Sequence, residues 1–405
     1  MKLLFLLLVF FIPTQFGLHF WPDFAFINGI RIDYFSPTIY TTDLIIVAIL
    51  LLSFRAKRGN LVAGLKRLLR SRWLLAMTLW MLLNIYFSIS PILSFYKWLK
   101  VFEFLFLILW IKDNFKKEWL NDFLKLVAIT IIFQSSLGFF QFLNQHSLGG
   151  LFYFFGERTF NASTPGIALG TYIDRLFLRP YGTLPHPNLL AAVLLFYVII
   201  LIKYFQRSAT IVIAIITGVV GIILTVSRLG YAAFVIAAVA VFVPKYFSKF
   251  FGLTIIFAVL YIFVFDNPSI SIRENLNSAA IKIIGENFLF GTGLGTNIIA
   301  LQKYSRELFF NPQPLAFLQP VHNIYLLILS ETGIVGFIFA AFSALKIIFK
   351  SKLFFVILFL GIFDHYFYTL QSGQLLLCFV IGIILSCQNS SDQLPQTLPF
   401  KFSEK

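Results

Sequence analysis

The chain has 405 residues, of which 59% are hydrophobic and only 12% are charged, a composition that excludes an ordinary soluble domain. Its apolar residues form long runs with few charges, and such runs predict transmembrane α-helices, because a backbone in lipid must satisfy its own hydrogen bonds. The formal net charge is +15, but most of the Lys and Arg residues lie in short segments between the apolar runs. That placement is typical of the positive-inside rule and argues against nucleic acid as a partner.

The apolar runs predict an all-α, polytopic integral membrane protein, with residues 1–405 forming a single membrane domain and about twelve transmembrane helices. Because the Lys- and Arg-rich connectors belong on the cytoplasmic side, both termini are predicted to be cytoplasmic. Two long loops, 144–186 and 266–321, then lie on the outer face, and the tail 388–405 is predicted to be disordered. The predicted spans are 3–17, 38–54, 73–90, 92–111, 122–143, 187–202, 209–226, 230–244, 251–265, 322–343, 353–369 and 373–387.

The fourth predicted span contains charged residues, which are costly inside a membrane. Lys97, Lys100 and Glu103 share one face of the predicted helix. They form either an internal ion-pair group or contacts to a substrate.

The stretch LRPYGTLPHPNLLAA, residues 178–192, precedes and begins the sixth span. Its three prolines predict an extended segment that leads into the helix, which His186 or Asn188 is placed to cap. Arg179 is predicted to lie on the outer face. It either supports this extended segment or contacts a substrate.

Arg228 interrupts the apolar stretch ILTVSRLGYAAF, residues 223–234. A lone Arg at the outer edge of a membrane needs a partner or must extend to the headgroups. We interpret Arg228 as a substrate-binding residue, and the alternative is an anchor in a tight turn.

The second long loop, 266–321, predicts a helix that lies on the membrane surface with its apolar side facing the lipid. Ser269 or Ser271 is placed to cap this helix, which is predicted to end near Glu286. The sequence GTGLG that follows predicts a flexible turn. It lacks the preceding strand of a dinucleotide-binding fingerprint.

Arg273 falls in the predicted first turn of that helix, where the helix dipole disfavours a cation. An anionic phosphate bound at the same place would remove the conflict, which suggests a phosphate-binding role. The alternatives are a pairing with Glu274 or with lipid headgroups.

The stretch VHNIYLLILSETGIVG begins polar and continues as the tenth span. His322 lies at the predicted helix N-terminus, where a neutral imidazole is favoured and can accept a proton, although it can instead serve as a cap. Asn323 is placed to cap the helix or to orient His322. Glu331 must face protein or water, and Gly333 and Gly336 permit close helix packing.

Asp364 and His365 lie near the outer end of the eleventh predicted span, as an internal ion pair or as substrate contacts. The sequence shows no metal-ligand spacing and no local pairing of a nucleophile with a base. No metal and no cofactor are therefore predicted.

Four stretches in the C-terminal half resemble known proteins. They are RPYGTLPHPNLLA (179–191), TVSRLG (225–230), SIRENLNSAAIKIIGENFLFGTGLG (271–295) and VHNIYLLILSETGIVG (321–336), the last being the most specific. In this order they resemble the O-antigen ligase and O-antigen polymerase family of bacterial envelope membrane proteins. The resemblance implies about twelve spans in the bacterial cytoplasmic (inner) membrane and a large outer loop. It also implies transfer of a glycan from an undecaprenyl-diphosphate carrier to a glycan or glycolipid acceptor.

The resemblance assigns roles by position. His322 is the implied catalytic residue, and Arg228 and Arg273 are the implied ligands of the diphosphate, with Arg179 as the competing choice for Arg228. The implied chemistry needs no metal, and one base without a carboxylate pair predicts inversion at the anomeric carbon. The residues predicted to support the site are Asn323, Glu331, His186, Asn188, Lys97, Lys100, Asp364 and His365.

These residues do not identify the acceptor substrate, because ligases and polymerases of the family share them. We place the ligase first and the polymerase of lipid-linked repeats second. A polysaccharide or lipid transporter is the alternative from another class. A transporter would place its polar groups near the bilayer midplane, whereas here they are predicted at the outer edge.

Overall fold

The computed structural model describes residues 1–56, 72–172, 175–242, 268–304, 318–348, 351 and 353–386. Within these residues the chain is mainly α-helical, with three small two-stranded sheets, which confirms the predicted all-α class. The helices are α1 Lys2–Phe11, α2 Thr41–Ala56, α3 Arg72–Tyr86, α4 Pro91–Asn114, α5 Leu120–Asn144, α6 Pro187–Lys203, α7 Ala209–Leu224, α8 Arg228–Phe242, α9 Pro268–Glu286, α10 Asn297–Leu301, α11 Ile324–Ile348, α12 Phe354–Phe363, α13 Tyr366–Thr369 and α14 Gln371–Ser386.

Each predicted span that falls on described residues overlaps a helix, although the spans 322–343 and 353–369 are interrupted. The predicted span 251–265 and the tail 388–405 lie outside the described residues. Among the described helices, two segments are both long and apolar enough to cross a membrane, Lys117–Asn144 and Ile324–Ile348. Eight further apolar helices are shorter. Since a crossing needs about 20 residues, the number of twelve spans stays a prediction.

Apolar side chains cover much of the helical surface. Leu3, Leu44, Leu79 and Ile92 are exposed by between 60% and 69%. Soluble proteins rarely expose continuous apolar surface of this kind, because contact between apolar surface and water is unfavourable in free energy. The exposed surface therefore fits a membrane-integral protein.

The core forms around α6, which is buried on nearly all of its faces. Its sequence is apolar around the whole helix, as expected for a helix enclosed by other helices. It packs against α5, α7 and α8, and the other extensive helix pairs are α5 with α7 and α4 with α14. A hydrogen bond of 3.0 Å from Oγ of Ser227 to Oδ1 of Asn188 also brings the start of α8 next to the start of α6.

Short strands lie between α1 and α2 and within the predicted outer loop 144–186, and they were missed from the sequence. Strands of two to four residues are too short to show the alternation that identifies a strand. The antiparallel pairs are β1 Gly17–His19 with β4 Thr38–Tyr40, β2 Phe26–Ile27 with β3 Ile30–Arg31, and β5 Leu169–Tyr172 with β6 Arg175–Leu178.

The predicted span 353–369 is not one helix, because the chain leaves the helix at Asp364. Asp364 is extended, with φ −153° and ψ 149°. Its Oδ1 accepts the backbone N–H of His365 at 2.8 Å, a local bond that competes with continuation of the helix. Asp364 and His365 therefore lie in a junction between α12 and α13.

Helix α11 is also interrupted, at Gly333, where φ is 63° and ψ is −176°. Both glycines permit close packing, since a Cβ at Gly333 would clash with the Leu289 carbonyl and one at Gly336 would lie 2.5 Å from the ring of Trp80. The break at Gly333 was not predicted. The backbone groups at the break bond to the segment around GTGLG, which is buried rather than a free turn. These bonds run from Thr292 N to Ser330 O (2.9 Å), Gly293 N to Glu331 O (2.9 Å) and Ile334 N to Phe288 O (2.8 Å).

Candidate functional site

A cavity of about 730 Å³ lies where several helix ends and loops meet. It collects polar side chains that are far apart in the sequence. The predicted site residues that line it are Lys97, Lys100, His186, Arg273, His322, Glu331, Asp364 and His365. The remaining predicted site residues, Arg179, Asn188, Arg228 and Asn323, are not among its lining residues.

Two imidazoles contact each other in the cavity. The ring centroids of His322 and His365 are 4.9 Å apart, and the rings are nearly perpendicular. Nδ1 of His365 shares a hydrogen bond of 2.6 Å with Oγ1 of Thr369, which orients that ring. Nδ1 of His322 is buried and has no hydrogen-bond partner among the described residues. Nδ1 of His322, unlike Nδ1 of His365, is thus left without a partner in the described structure.

Burial keeps these imidazoles neutral. Burial, followed by the charges of His365 and Arg273, holds the pKa of His322 well below its ordinary value. Burial also lowers the pKa of His365, against the opposing effect of Asp364. It lowers the pKa of His186 to about 3. At neutral pH these rings are therefore uncharged, which is the form that a general base needs.

Asp364 is the buried anion beside the imidazoles. Burial alone would raise its pKa, but His365, His322 and His186 in their protonated forms, together with the guanidinium of Arg273, outweigh burial and lower the pKa to about 2. Its carboxylate is therefore ionised at neutral pH. It supplies a fixed negative charge beside the imidazole rings.

Asn188 links Asp364 to Arg179. Nδ2 of Asn188 donates to Oδ2 of Asp364 at 2.8 Å, and Nη2 of Arg179 donates to Oδ1 of Asn188 at 2.8 Å. The same Oδ1 accepts from Ser227 Oγ at 3.0 Å, and Nε of Arg179 donates to the Thr225 carbonyl at 2.7 Å. Burial lowers the pKa of Arg179 to about 10. Arg179 thus supports the site through Asn188.

Two of the predicted helix caps are confirmed. Nδ1 of His186 accepts the backbone N–H of Asn188 at 3.1 Å and caps α6. Oδ1 of Asn323 accepts the backbone N–H groups of Tyr325 (2.9 Å) and Leu326 (3.2 Å) and caps α11. Because Asn323 provides this cap, the adjacent His322 side chain is available for another role.

Arg273 lies in the second turn of α9, because that helix begins at Pro268, so the predicted first-turn position was wrong. Ser269 and Ser271 consequently lie inside the helix rather than at its cap. Nη1 of Arg273 donates to the Phe363 carbonyl at 3.1 Å, which brings the guanidinium to the α12–α13 junction. Among the described residues it forms no ion pair with Glu274.

The apolar face of α9 packs against protein. Its buried residues, Leu276, Ala279, Ala280 and Ile283, form a cluster with Leu301, Tyr304 and Val321. The face that was predicted to contact lipid therefore contacts α10, its following turn and the segment before α11. This packing holds Arg273 and His322 on adjacent elements.

Arg228 is the first residue of α8 and is half-buried. The preceding Ser227 contacts Asn188, so Arg228 lies close in the sequence to the network that holds Asp364. Its assignment to the diphosphate stays a prediction.

Lys100 belongs to an internal ion-pair group. Its Nζ lies 2.7 Å from Oδ1 of Asp43 and 2.7 Å from Oε2 of Glu103. The internal alternative given for Lys100 is thus observed. Asp43, in α2, was missed because its partner is distant in the sequence.

Glu331 anchors the segment that fills the break in α11, and it faces protein as predicted. Its Oε2 accepts the backbone N–H of Gly295 and the hydroxyl of Tyr368, each at 2.8 Å. Its Oε1 accepts the backbone N–H of Asn297 at 3.1 Å. One carboxylate therefore joins α11, the GTGLG segment and α13.

We expect Glu331→Ala to destabilise the protein, because three buried donors lose their acceptor and each orphaned group costs about 1–3 kcal/mol. The thermal unfolding midpoint of the detergent-purified protein measures the effect. Glu286→Ala is the control, since Glu286 pairs with Lys303 at the exposed surface and should lower the midpoint little. Equal midpoints for Glu331→Ala and wild type would contradict this role.

Comparison with known proteins gives a match, which covers part of the residues that form the cavity. Residues 189–341 match the family model described as O-antigen ligase. The match confirms the predicted resemblance and supports an O-antigen ligase-type function in general. No curated protein and no solved structure matches the chain significantly.

The matched segment contains Arg228, Arg273, His322, Asn323 and Glu331. The cavity also has residues from outside it that sequence reasoning missed. Among them are His19, Asp33, Tyr34 and Arg158, and the Tyr34 ring packs edge-on against His365 with centroids 5.7 Å apart. No local pattern marks these residues, since they lie in short strands, single turns and loops. Within the described part of the chain, no three His, Cys, Asp or Glu residues are arranged to hold one metal ion.

Proposed function

We propose that the chain is a glycosyltransferase of the O-antigen ligase type in the bacterial cytoplasmic membrane. It transfers a glycan from an undecaprenyl-diphosphate carrier to a hydroxyl acceptor at the outer face, without a metal. One observation carries the proposal. His322 and Arg273, both inside the matched segment, line the same cavity, beside the ionised Asp364. A proton acceptor and a cation for an anionic leaving group are thereby combined.

His322 serves as the general base in the proposed reaction. The acceptor oxygen forms a bond to the anomeric carbon as its proton passes to the neutral imidazole. The bond between the anomeric carbon and the phosphate oxygen breaks, and the lipid diphosphate leaves with the electron pair. A single displacement of this kind inverts the anomeric configuration.

Arg273 is proposed to bind the diphosphate and to stabilise the charge that develops on it. A guanidinium offers paired N–H donors that match phosphate oxygens, and such charge-assisted bonds are strong in a water-poor site. Arg228 is the second proposed ligand. Arg179 already donates to Thr225 and Asn188, so we propose that it positions Asp364 instead.

Two other functions use some of the same features. A polymerase of lipid-linked repeats would perform the same displacement with a different acceptor. A transporter is favoured by one observation, the break in α11 at Gly333. However, the carbonyls of Ser330 and Glu331 at this break accept backbone N–H groups of Thr292 and Gly293. Because these carbonyls are already bonded, transferase chemistry remains the proposed function.

The pH dependence of kcat/KM tests the proposed base. Because the pKa of His322 lies well below 6.5, the neutral and active form should be fully present above that pH. Activity should fall only at lower pH, as His322 becomes protonated. Initial rates of lipid diphosphate release between about pH 4.5 and pH 9 measure the profile.

The control for the pH profile is His146→Ala, which changes an exposed histidine outside the cavity and should leave the profile unchanged. A fall in activity centred at or above 6.5 would contradict the assignment of His322 as the base. Unfolding midpoints recorded across the same pH range separate titration from loss of fold.

A further inference from the structure

Lys97 differs from Lys100, one helical turn away, in how its charge is compensated. Lys100 forms two ion pairs, with Asp43 and Glu103. Lys97 lines the cavity and is half-buried, yet it makes no ion pair or hydrogen bond to any of the described residues. Within the described part of the chain, its Nζ lies 5.4 Å from the centre of the neighbouring Tyr96 ring, which is a weak cation–π contact.

Glu331 is the carboxylate that most influences Lys97, but it does not neutralise the lysine directly. Both of its oxygens already accept hydrogen bonds, from Gly295, Asn297 and Tyr368. The carboxylate is thereby committed to holding the loop and α13. A cation in an apolar surrounding is costly unless an anion lies beside it. We therefore expect Lys97 to pair with an anion other than Glu331.

The structure holds the lysine stem in place. Gly295 has a φ of +82°, and a Cβ at this position would lie 2.6 Å from Cγ of Lys97. Only glycine allows the loop to pass so close to α4 in this conformation. The aliphatic part of Lys97 is thus packed against the loop that Glu331 fixes, while its side chain contributes to the cavity wall.

Lys97 and Arg273 lie on different parts of the cavity wall. The stem of Lys97 packs against Gly295. Nη1 of Arg273 donates to the Phe363 carbonyl at the α12–α13 junction, next to Asp364 and His365. The cavity therefore has two groups of charges, and at about 730 Å³ it is large enough for a substrate that contacts both.

We infer that Lys97 binds an anionic group, a phosphate or a carboxylate, of a substrate in the cavity, at a subsite separate from the one at Arg273. The inference rests on the proposed function, because it needs substrates that carry such groups. Two sources fit this chemistry, namely the diphosphate of the donor and an acidic substituent of the acceptor.

The test uses full-length protein in lipid nanodiscs and has two arms. The first measures equilibrium binding of fluorescent undecaprenyl-diphosphate-linked glycan without acceptor. The second measures KM for two acceptors that differ only in one phosphate. Lys97→Met is compared with Lys97→Arg, and Lys112→Met is the matched control, because Lys112 lies on the same helix outside the cavity.

Lys97→Met should raise either the donor Kd or the KM for the phosphorylated acceptor by about tenfold or more. Lys97→Arg should keep the same constant within about threefold of its wild-type value. A higher donor Kd assigns the anion to the donor. A higher KM for the phosphorylated acceptor alone assigns it to the acceptor. Wild-type values for Lys97→Met in both arms would overturn the inference. Lys97→Met could instead weaken the binding of the donor and of both acceptors equally and lower the unfolding midpoint, with no recovery in Lys97→Arg. That result would also overturn the inference, because it would show that Lys97 stabilises the fold.

The donor-binding arm separates this inference from the proposed function. If wild-type protein binds the donor but releases no lipid diphosphate with any acceptor, the proposed transfer fails. Donor binding to Lys97→Met then still tests the subsite on its own, and an unchanged Kd would overturn it.

Discussion

His322→Ala is expected to lower the rate of lipid diphosphate release by about 10²–10⁴-fold, with little change in donor affinity. The reason is that the variant removes the neutral imidazole whose Nδ1 has no partner in the described structure, while Asn323 still caps α11. Single-turnover rates with saturating donor and acceptor measure the chemical step.

The matched control is His146→Ala, an exposed histidine outside the cavity, which should retain the wild-type rate. A second variant, His322→Gln, keeps a polar side chain and should be as slow as alanine if proton transfer is the role of His322. Wild-type turnover in either variant would remove His322 from the mechanism.

Arg273→Gln is expected to raise the donor Kd by about 10–100-fold and also to lower the rate of the chemical step. The guanidinium lies at the α12–α13 junction and carries a charge that glutamine lacks. Charge-assisted bonds to phosphate contribute to binding, and they strengthen as charge develops on the leaving diphosphate. Donor titration and single-turnover rates measure the two effects separately.

Arg175→Gln serves as the control for Arg273, because Arg175 is exposed in β6 and does not line the cavity. Arg273→Lys should recover only part of the effect, since an ammonium cannot provide the paired donors of a guanidinium. Unchanged donor affinity in Arg273→Gln would contradict a diphosphate-binding role.

The positions of the helices were predictable because each depends on a local run of apolar residues. The same reasoning found Glu331, since a charged residue within such a run needs a partner. His322 and Arg273 were found instead from their predicted positions near helix N-termini. The sequence could not show that these residues line one cavity. Their proximity depends on the packing of α9 against the segment before α11, which joins residues far apart in the chain.

The interruptions were less predictable than the helices. The break at Gly333 is stabilised by backbone groups about 40 residues earlier in the chain, such as Thr292. The end of α12 depends on a bond from Asp364 to the next backbone N–H, which a hydropathy pattern does not reveal. The support of Asp364 by Asn188 likewise spans most of the C-terminal half. Each of these features rests on contacts that composition and periodicity do not encode.

The most direct test of the proposed glycan transfer measures both products of one reaction. Purified wild-type protein in lipid is mixed with undecaprenyl-diphosphate-linked glycan, a hydroxyl acceptor and a chelator, and lipid diphosphate and glycosylated acceptor are both quantified. The account predicts that the two form in equal amounts, with inverted anomeric configuration, and the length of the product distinguishes ligation from polymerisation. Movement of intact donor across the bilayer without its cleavage, for every acceptor tried, would contradict the account and favour a transporter.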